Sequence, residues 1–274
     1  MIVSEINIYP IKSCQGIRKD DAEISQKGFL WDREFMLVNP AGKFFTQRQY
    51  PQLATVKIEI QDSQITLSSL DQSLGSVAFN PTLIGEEIKV EIWRDRTVAI
   101  LQDDQVSQWF TTFLNTPCYL VRQSPDYIRP IDENYAPSNN LPVSFADGYP
   151  FLITNTASLT ELNRRLKETY NNEAQTIPMN RFRSNIVIQT EQPFIETKWK
   201  IIRIGEVQFS LVKPCTRCII TTTDQITGHR NPLQEPLKTL GTFRKSTQGI
   251  MFGENMIPFN LGVIRVGDAI EIIE

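Results

Sequence analysis

Apolar and polar residues alternate with a period of two along much of this chain, and this pattern restricts the fold more than any other feature. In residues 56–60 and 88–92, Val or Ile alternates with Lys or Glu. Such alternation predicts strands that are buried on one face. Gly205 and Gly267 each follow an apolar run at the first central position of a two-residue turn, which predicts two type II′ hairpins. We therefore expect a strand-dominated α+β fold.

Few segments have helical periodicity. Ser158 followed by Glu161 is a capping-box pattern and predicts a helix over 158–170, while a second helix is predicted over 104–114. Two stretches rich in proline, 124–150 and 231–260, lack a clear period. Both are longer than ordinary connections, so we expect them to be irregular loops near a site.

Composition excludes several classes of protein. The 274 residues suffice for one large domain or two small ones. The chain has 28 Lys and Arg and 31 Asp and Glu, so it has no excess of positive charge. Non-specific binding of nucleic acid needs such an excess, and we therefore expect no nucleic-acid partner. No run of about 18 uncharged apolar residues predicts a membrane span. The N-terminus does not resemble a signal peptide, and a cytoplasmic location is expected.

Histidine and cysteine counts narrow the chemistry. The chain has one histidine, His229, which is expected in an exposed loop, and four cysteines, of which only Cys215 and Cys218 form a CxxC pair. A thioredoxin-like dithiol needs a helix after the pair, whereas β-branched residues follow here. A structural zinc site needs two further soft ligands in a suitable spacing. The residues alone also allow two small, buried, inert thiols.

Several motifs together resemble one known family over nearly the whole chain. The segments are YPIKSC (9–14), WDR (31–33), TQR (46–48), SFADGYP (144–150), RFRSNIV (181–187), KPCTRCIITTTD (213–224), EPLKTL (235–240) and GVIRVGD (262–268). In consistent order they resemble the MOSC domain of molybdenum-cofactor proteins and the β-barrel region that precedes it in amidoxime-reducing components and YcbX-type proteins. The resemblance implies an N-terminal MOSC β region over about 1–120 and a MOSC β-barrel over about 121–274.

The resemblance also implies a molybdenum-molybdopterin cofactor, with the Cys218 thiolate as the protein ligand of the metal. Soft thiolate is a suitable ligand for a metal that is also bound by pterin sulfurs. Asp147 matches an aspartate near the metal and would deliver a proton. Taken without the family, Asp147 is a turn residue, and Lys12 and Arg33 are ordinary surface charges. The implied cofactor-binding residues are Lys12, Ser13, Arg33, Arg183, Asn185, Thr216, Arg217 and Cys218.

The implied reaction is reduction of N-hydroxylated small molecules, such as amidoximes, hydroxylamines and hydroxylaminopurines. Its electrons would come from a separate ferredoxin-like or flavin-containing donor, because the chain lacks both a dinucleotide fingerprint and the cysteine spacing of an iron-sulfur cluster. No C-terminal ferredoxin domain, membrane anchor or pyridoxal phosphate site is expected. Two alternatives remain: a molybdenum-cofactor carrier without turnover, and a metal-free thiol-disulfide oxidoreductase using Cys215 and Cys218.

Overall fold

The computed structural model describes residues 1–132, 134–135, 141–172 and 176–274. Strands dominate these residues, which confirms the expected fold class. In chain order the strands are β1 (Ile2–Ile8), β2 (Ile17–Lys19), β3 (Asp21–Ser25), β4 (Gly28–Phe29), β5 (Phe35–Val38), β6 (Lys57–Gln61), β7 (Gln64–Ser68), β8 (Val77–Phe79), β9 (Glu87–Ile92), β10 (Asp95–Leu101), β11 (Tyr119–Gln123), β12 (Phe151–Asn155), β13 (Ile186–Gln189), β14 (Ile201–Ile204), β15 (Val207–Thr216), β16 (Lys245–Ser246), β17 (Gly249–Pro258), β18 (Gly262–Arg265) and β19 (Ile270–Ile272).

Three α-helices occur in the described part of the chain: α1 (Asp104–Leu114), α2 (Thr156–Tyr170) and α3 (Leu237–Phe243). The prediction for α1 is confirmed. The Asp103 side chain caps its first turn, and the buried Trp109 and Phe110 hold it against the core. Short 3-10 helices cover Pro51–Thr55, Gln72–Leu74, Met179–Phe182, Ile195–Lys198 and Ile219–Thr222. None of the helices that can be described is both long and apolar enough to cross a membrane.

Helix α2 begins earlier than the capping-box pattern predicts. Asn155 is the N-cap, and its side chain accepts a hydrogen bond from the Ala157 N–H. The buried Ser158 hydroxyl instead donates to Glu196 and accepts from the Phe194 N–H. A tertiary interaction therefore uses the side chain that the local pattern assigned to a cap.

The largest sheet contains strands from both the N-terminal and the C-terminal part of the chain. Its nine strands follow the order β19-β14-β15-β17-β12-β13-β1-β2, with β16 pairing with β17. Strand β1 runs antiparallel to β13, with Ile6 opposite Ile186. In a separate three-stranded sheet of order β18-β3-β4, strand β3 from the N-terminal part likewise pairs with β18 from the C-terminal part. The core on the nine-stranded sheet is aliphatic and aromatic, with Val3, Phe151 and Phe209 fully or almost fully buried.

Two smaller sheets come from the segment between β4 and β12. One has the order β5-β11-β10-β9 and the other the order β6-β7-β8. Helix α1 packs into a core with Phe35, Leu67 and Phe79. The alternation in 56–60 and 88–92 corresponds to β6 and β9, which confirms both strand predictions.

Some local predictions fail. The hairpin at Gly205 is confirmed, because Ile204 pairs with Val207 and Gly205 has φ +56°. The hairpin at Gly267 is wrong: a turn connects β18, which pairs with β3, to β19, which pairs with β14. The stretch 231–260 is also not an irregular loop, since it contains α3 and the ten-residue β17 in the middle of the main sheet. Its alternation is hidden because β17 is buried on both faces.

The stretch 124–150 is largely without regular structure where it can be described. It leaves β11 and enters β12, and Pro130 and Pro142 form a single bridge across it. Residues 133 and 136–140 lie outside the described residues. The end of this stretch, from Phe145 to Gly148, reaches the cavity described next.

Candidate functional site

A cavity of about 400 Å³ lies where loops from the N-terminal segment meet β15, β17 and the loop before β12. All nine site residues implied by the family resemblance line it. They are Lys12, Ser13, Arg33, Asp147, Arg183, Asn185, Thr216, Arg217 and Cys218. These positions come from segments up to about 200 residues apart, so the fold brings them together. Their individual roles stay predictions.

The CxxC pair lies at the end of β15. Cys215 is on the strand, whereas Cys218 precedes the 3-10 helix Ile219–Thr222. Between them, Arg217 donates from Nη1 to Cys215 Sγ at 2.9 Å and from Nη2 to the Phe182 carbonyl at 2.7 Å. Burial raises the pKa of the Cys215 thiol, although Arg217 opposes the change. The two thiols therefore have different surroundings: Arg217 donates to Cys215, whereas no described residue hydrogen-bonds to the sulfur of Cys218 on the cavity wall.

Two arginines are stacked on one tyrosine. The guanidinium carbons of Arg33 and Arg183 lie 4.2 and 4.3 Å from the centre of the Tyr9 ring. Arg183 also donates to the Cys14 carbonyl at 2.7 Å. Burial lowers the pKa of Arg183 to about 10, with Tyr9 opposing the shift and Arg33 adding to it. At Gly16 a Cβ atom would lie 2.5 Å from the Tyr9 ring, so only glycine leaves room for this ring.

Arg183 and Asn185 stand two positions apart before the apolar run 186–188, a pattern that predicts one strand with both side chains on the same face, and this prediction is wrong. Arg183 ends the 3-10 helix Met179–Phe182 with φ +54°, and β13 begins only at Ile186. Asn185 is 2% exposed, and its side chain accepts from the Leu152 N–H and donates to the Asn7 carbonyl. The two residues therefore reach the cavity from a turn that precedes β13. The conformation of this turn, rather than the alternation of side chains along a strand, sets the direction of their side chains.

Left-handed backbone conformation is concentrated at the cavity. Four of its lining residues, none of them glycine, have positive φ: Ser13 (72°), Arg33 (52°), Trp93 (56°) and Arg183 (54°). Such conformations are unfavourable for residues with a Cβ and persist where surrounding contacts hold them. Ser13 is held by its hydroxyl, which accepts from the Gln47 N–H, and by its carbonyl, which accepts from the Gln47 side chain.

Lys12, Asp147 and Trp93 form a hydrogen-bonded group on the cavity wall. The buried Lys12 Nζ donates to the Phe145 carbonyl at 2.8 Å and to Asp147 Oδ1 at 2.6 Å. Trp93 Nε1 donates to the same Oδ1 at 3.2 Å. Loss of hydration at the cavity wall disfavours the Asp147 anion, yet Lys12, Trp93 and Arg48 outweigh this effect and hold the pKa of Asp147 well below its usual range. Burial lowers the pKa of Lys12, and Asp147 opposes this change. Delivery of a proton by Asp147 stays a prediction.

Trp93 was not singled out from the sequence. It lies at the tip of the β9–β10 hairpin, next to the paired residues Ile92 and Asp95. Arg48 covers its ring at 4.3 Å, and Phe44 meets it edge-on at 4.8 Å. A two-residue hairpin turn usually has Gly or Asn where φ is positive. A tryptophan in that position is a signal that could have indicated a functional residue.

The cavity residues fit an anionic cofactor with a soft metal. Four positive side chains line the cavity: Lys12, Arg33, Arg183 and Arg217. The Nε atom of Arg217 is buried and has no hydrogen-bond partner. Arginine suits phosphate and polar ring acceptors, and Cys218 offers the thiolate that such a metal takes. Within the described ranges, no three His, Cys, Asp or Glu side chains are grouped as a metal site, so these residues contain no structural zinc cluster.

The fold and this cavity define a MOSC-type protein. The MOSC N-terminal beta barrel domain matches residues 1–117, and the MOSC domain matches residues 140–271. The chain is 32% identical to mitochondrial amidoxime-reducing component 1 of Mus musculus, covering 99% of this chain and 82% of that protein. It is also 32% identical to mitochondrial amidoxime reducing component 2 of Bos taurus, covering 98% of this chain and 82% of that protein. The chain therefore belongs to the MOSC-domain family that includes the amidoxime-reducing components.

Other matches are longer proteins or weaker likenesses. Molybdenum cofactor sulfurase of Danio rerio is 29% identical over 90% of this chain, but this chain spans only 31% of that protein. Among solved structures, YiiM from Geobacillus stearothermophilus superposes with a TM-score of 0.32 at 14% identity, covering 46% of this chain and 55% of that chain.

Proposed function

We propose that this protein is a molybdenum-cofactor-dependent reductase of N-hydroxylated compounds that takes electrons from a separate donor. The observation that carries the proposal is a cavity in which three half-buried arginines, Arg33, Arg183 and Arg217, converge near Cys218, a thiol to which no described residue hydrogen-bonds. Relatives that the chain matches over almost its full length are named for amidoxime reduction, which supports the same reaction class.

In this function the chain supplies binding and electrostatics. Arg33, Arg183 and Arg217 would bind the phosphate and pterin of the cofactor, and Cys218 would ligate the molybdenum. When bound, that group supplies the two-electron chemistry that the N–O bond requires. Ser13, Asn185 and Thr216 would complete the pocket as small polar neighbours of the cofactor.

The family resemblance gives proton delivery to Asp147, but the lowered pKa of that carboxyl keeps it ionised near neutral pH, so we place Lys12 as the proton source instead. An ammonium has three N–H donors, and two of those on Lys12 are used by the Phe145 carbonyl and Asp147 Oδ1. The third remains for a substrate. Reduction of an amidoxime consumes two electrons and two protons and releases the amidine and water, so a buried cation with a lowered pKa suits the role of donor.

Protein produced in a host that makes the cofactor tests the proposal. We expect about one molybdenum per chain and reduction of benzamidoxime to benzamidine with a chemical reductant. The same chain from a host that cannot make molybdopterin should be folded and inactive. A fully loaded protein that reduces no amidoxime, hydroxylamine or hydroxylaminopurine would contradict the reductase and favour a cofactor carrier.

A further inference from the structure

The two carboxylate oxygens of Asp147 have different surroundings. Oδ1 accepts both hydrogen bonds of the group, from Lys12 Nζ at 2.6 Å and from Trp93 Nε1 at 3.2 Å. No described residue donates to Oδ2. The Asp147 side chain is 64% exposed, whereas that of Lys12 is 7% exposed. One oxygen is thus anchored in the wall, and the other is available to a ligand.

Asp147 is also the only acidic residue among the described residues that line the cavity. The charged residues around it are Lys12, Arg33, Arg183, Lys213 and Arg217. A carboxylate weakens binding of an anion to such a cavity, so its presence needs another reason. A fixed carboxylate is a good acceptor for N–H donors, above all for a cation that can donate to it.

Two side chains hold Asp147 through one of its oxygens. Trp93 contacts Phe44 and Arg48 and has a left-handed backbone, and its Nε1 donates to Oδ1. Lys12 donates to the same oxygen from a buried position. Two donors on Oδ1 favour one orientation of the carboxylate before a ligand arrives, which reduces the cost of ordering it on binding.

From this arrangement we infer that Asp147 is a specificity-determining acceptor, which selects substrates with N–H donors on the carbon that bears the N-hydroxylated nitrogen. Amidoximes and N-hydroxyguanidines have such donors, and pyridine N-oxide has none. The amidinium product would be bound more tightly still, because it combines the donors with a positive charge. The inference rests on the proposed function for its substrates, but the recognition itself is a binding property.

Calorimetry on the cofactor-loaded full chain tests the recognition without turnover. Benzamidine is the cationic probe, and benzamide is a neutral probe of nearly the same shape. We expect benzamidine to bind at least tenfold more tightly than benzamide. Asp147→Asn should remove most of that preference, and Asp147→Glu should retain part of it. Glu91→Gln is the matched control, because Glu91 is ion-paired with Arg96 on the same hairpin.

A structural role for Asp147 would lower both affinities or the molybdenum content, so the ratio of the two affinities is the decisive quantity. Equal affinity of the unmodified protein for the two probes would overturn the inference, as would an equal loss of both in Asp147→Asn. In kinetics, the substitution should raise KM for benzamidoxime about tenfold and change KM for pyridine N-oxide less than twofold. If the loaded protein distinguishes the probes but reduces no N-hydroxylated compound, the reductase fails and the acceptor site stands.

Discussion

Arg33 Nη2 donates to the main-chain carbonyl of Arg183 at 3.0 Å, although the two residues are 150 positions apart in the chain. Both have left-handed backbones, and both guanidinium groups lie on Tyr9. Contacts within the protein thus hold two cations together, and the pKa of Arg183 is lowered to about 10 by burial, with Arg33 contributing. An anion that neutralises this pair would gain from charges that are already in place.

The first prediction concerns Arg183. Arg183→Ala should lower the molybdenum content of the purified protein at least several-fold, because a phosphate or pterin contact is lost. It should also destabilise the cofactor-free protein by about 1–3 kcal/mol, since the Cys14 carbonyl loses its donor. Elemental analysis and denaturant unfolding measure the two effects. Arg203→Ala, which removes an exposed partner of Glu271, is the control and should change neither quantity appreciably. Full molybdenum content in Arg183→Ala would show that this arginine is not a cofactor ligand.

The second prediction concerns the two thiols of the CxxC pair. Cys218→Ser should abolish molybdenum retention and activity, because a neutral hydroxyl is a poor substitute for a soft thiolate. Cys215→Ser should keep most of the metal, since Cys215 is hydrogen-bonded to Arg217 and has a raised pKa. Molybdenum per chain is the measurement. If both variants lost the metal equally, or if both thiols were needed for metal-free disulfide exchange, the dithiol alternative would gain support.

Part of this site could be predicted from the sequence, and the missing part has physical reasons. Local patterns predicted the helix α1 and the strands β6 and β9, because apolar side chains recur on one face of each element. They recur with the helical period in α1 and with a period of two in β6 and β9. The pairing of Ile6 with Ile186 could not be predicted, since register between distant strands depends on the whole sheet. The cavity residues came from resemblance to a family. Lys12 and Arg33, taken alone, look like surface charges, and only the fold places them beside Asp147 and Tyr9.

The third prediction concerns Glu254, a 4% exposed carboxyl on β17 whose Oε1 has no hydrogen-bond partner. Burial raises the pKa of Glu254 from 4.5 to about 8; Glu196 adds to this shift and Arg244 opposes it. Between pH 4.5 and about pH 8, Glu254 is therefore ionised in the unfolded chain but protonated in the folded chain. The contribution of Glu254 to stability therefore falls as pH rises, by up to about 1.4 kcal/mol for each pH unit.

Replacing this carboxyl should remove that pH dependence. Glu254→Gln should have nearly the pH profile of the unmodified protein below pH 5 and should become progressively more stable than it up to about pH 8. Thermal unfolding at a series of pH values measures the difference. Glu206→Gln, an exposed substitution in the Gly205 hairpin, should follow the unmodified protein throughout. Parallel profiles for Glu254→Gln and the unmodified protein would mean that Glu254 is ionised in the fold.

The last prediction concerns the source of electrons. A reductase needs two electrons per turnover, and the sequence contains neither a G-x-G-x-x-G fingerprint nor the cysteine spacing of an iron-sulfur cluster. The proposed molybdenum centre would then be the redox group of this chain. We expect no reduction of benzamidoxime with NADH or NADPH alone, and reduction once a chemical reductant or a ferredoxin-like or flavin-containing donor is added. Cys218→Ser should stay inactive with every donor. Turnover by the isolated, molybdenum-loaded protein with NADH alone would require a hydride-accepting site and would contradict a single redox centre.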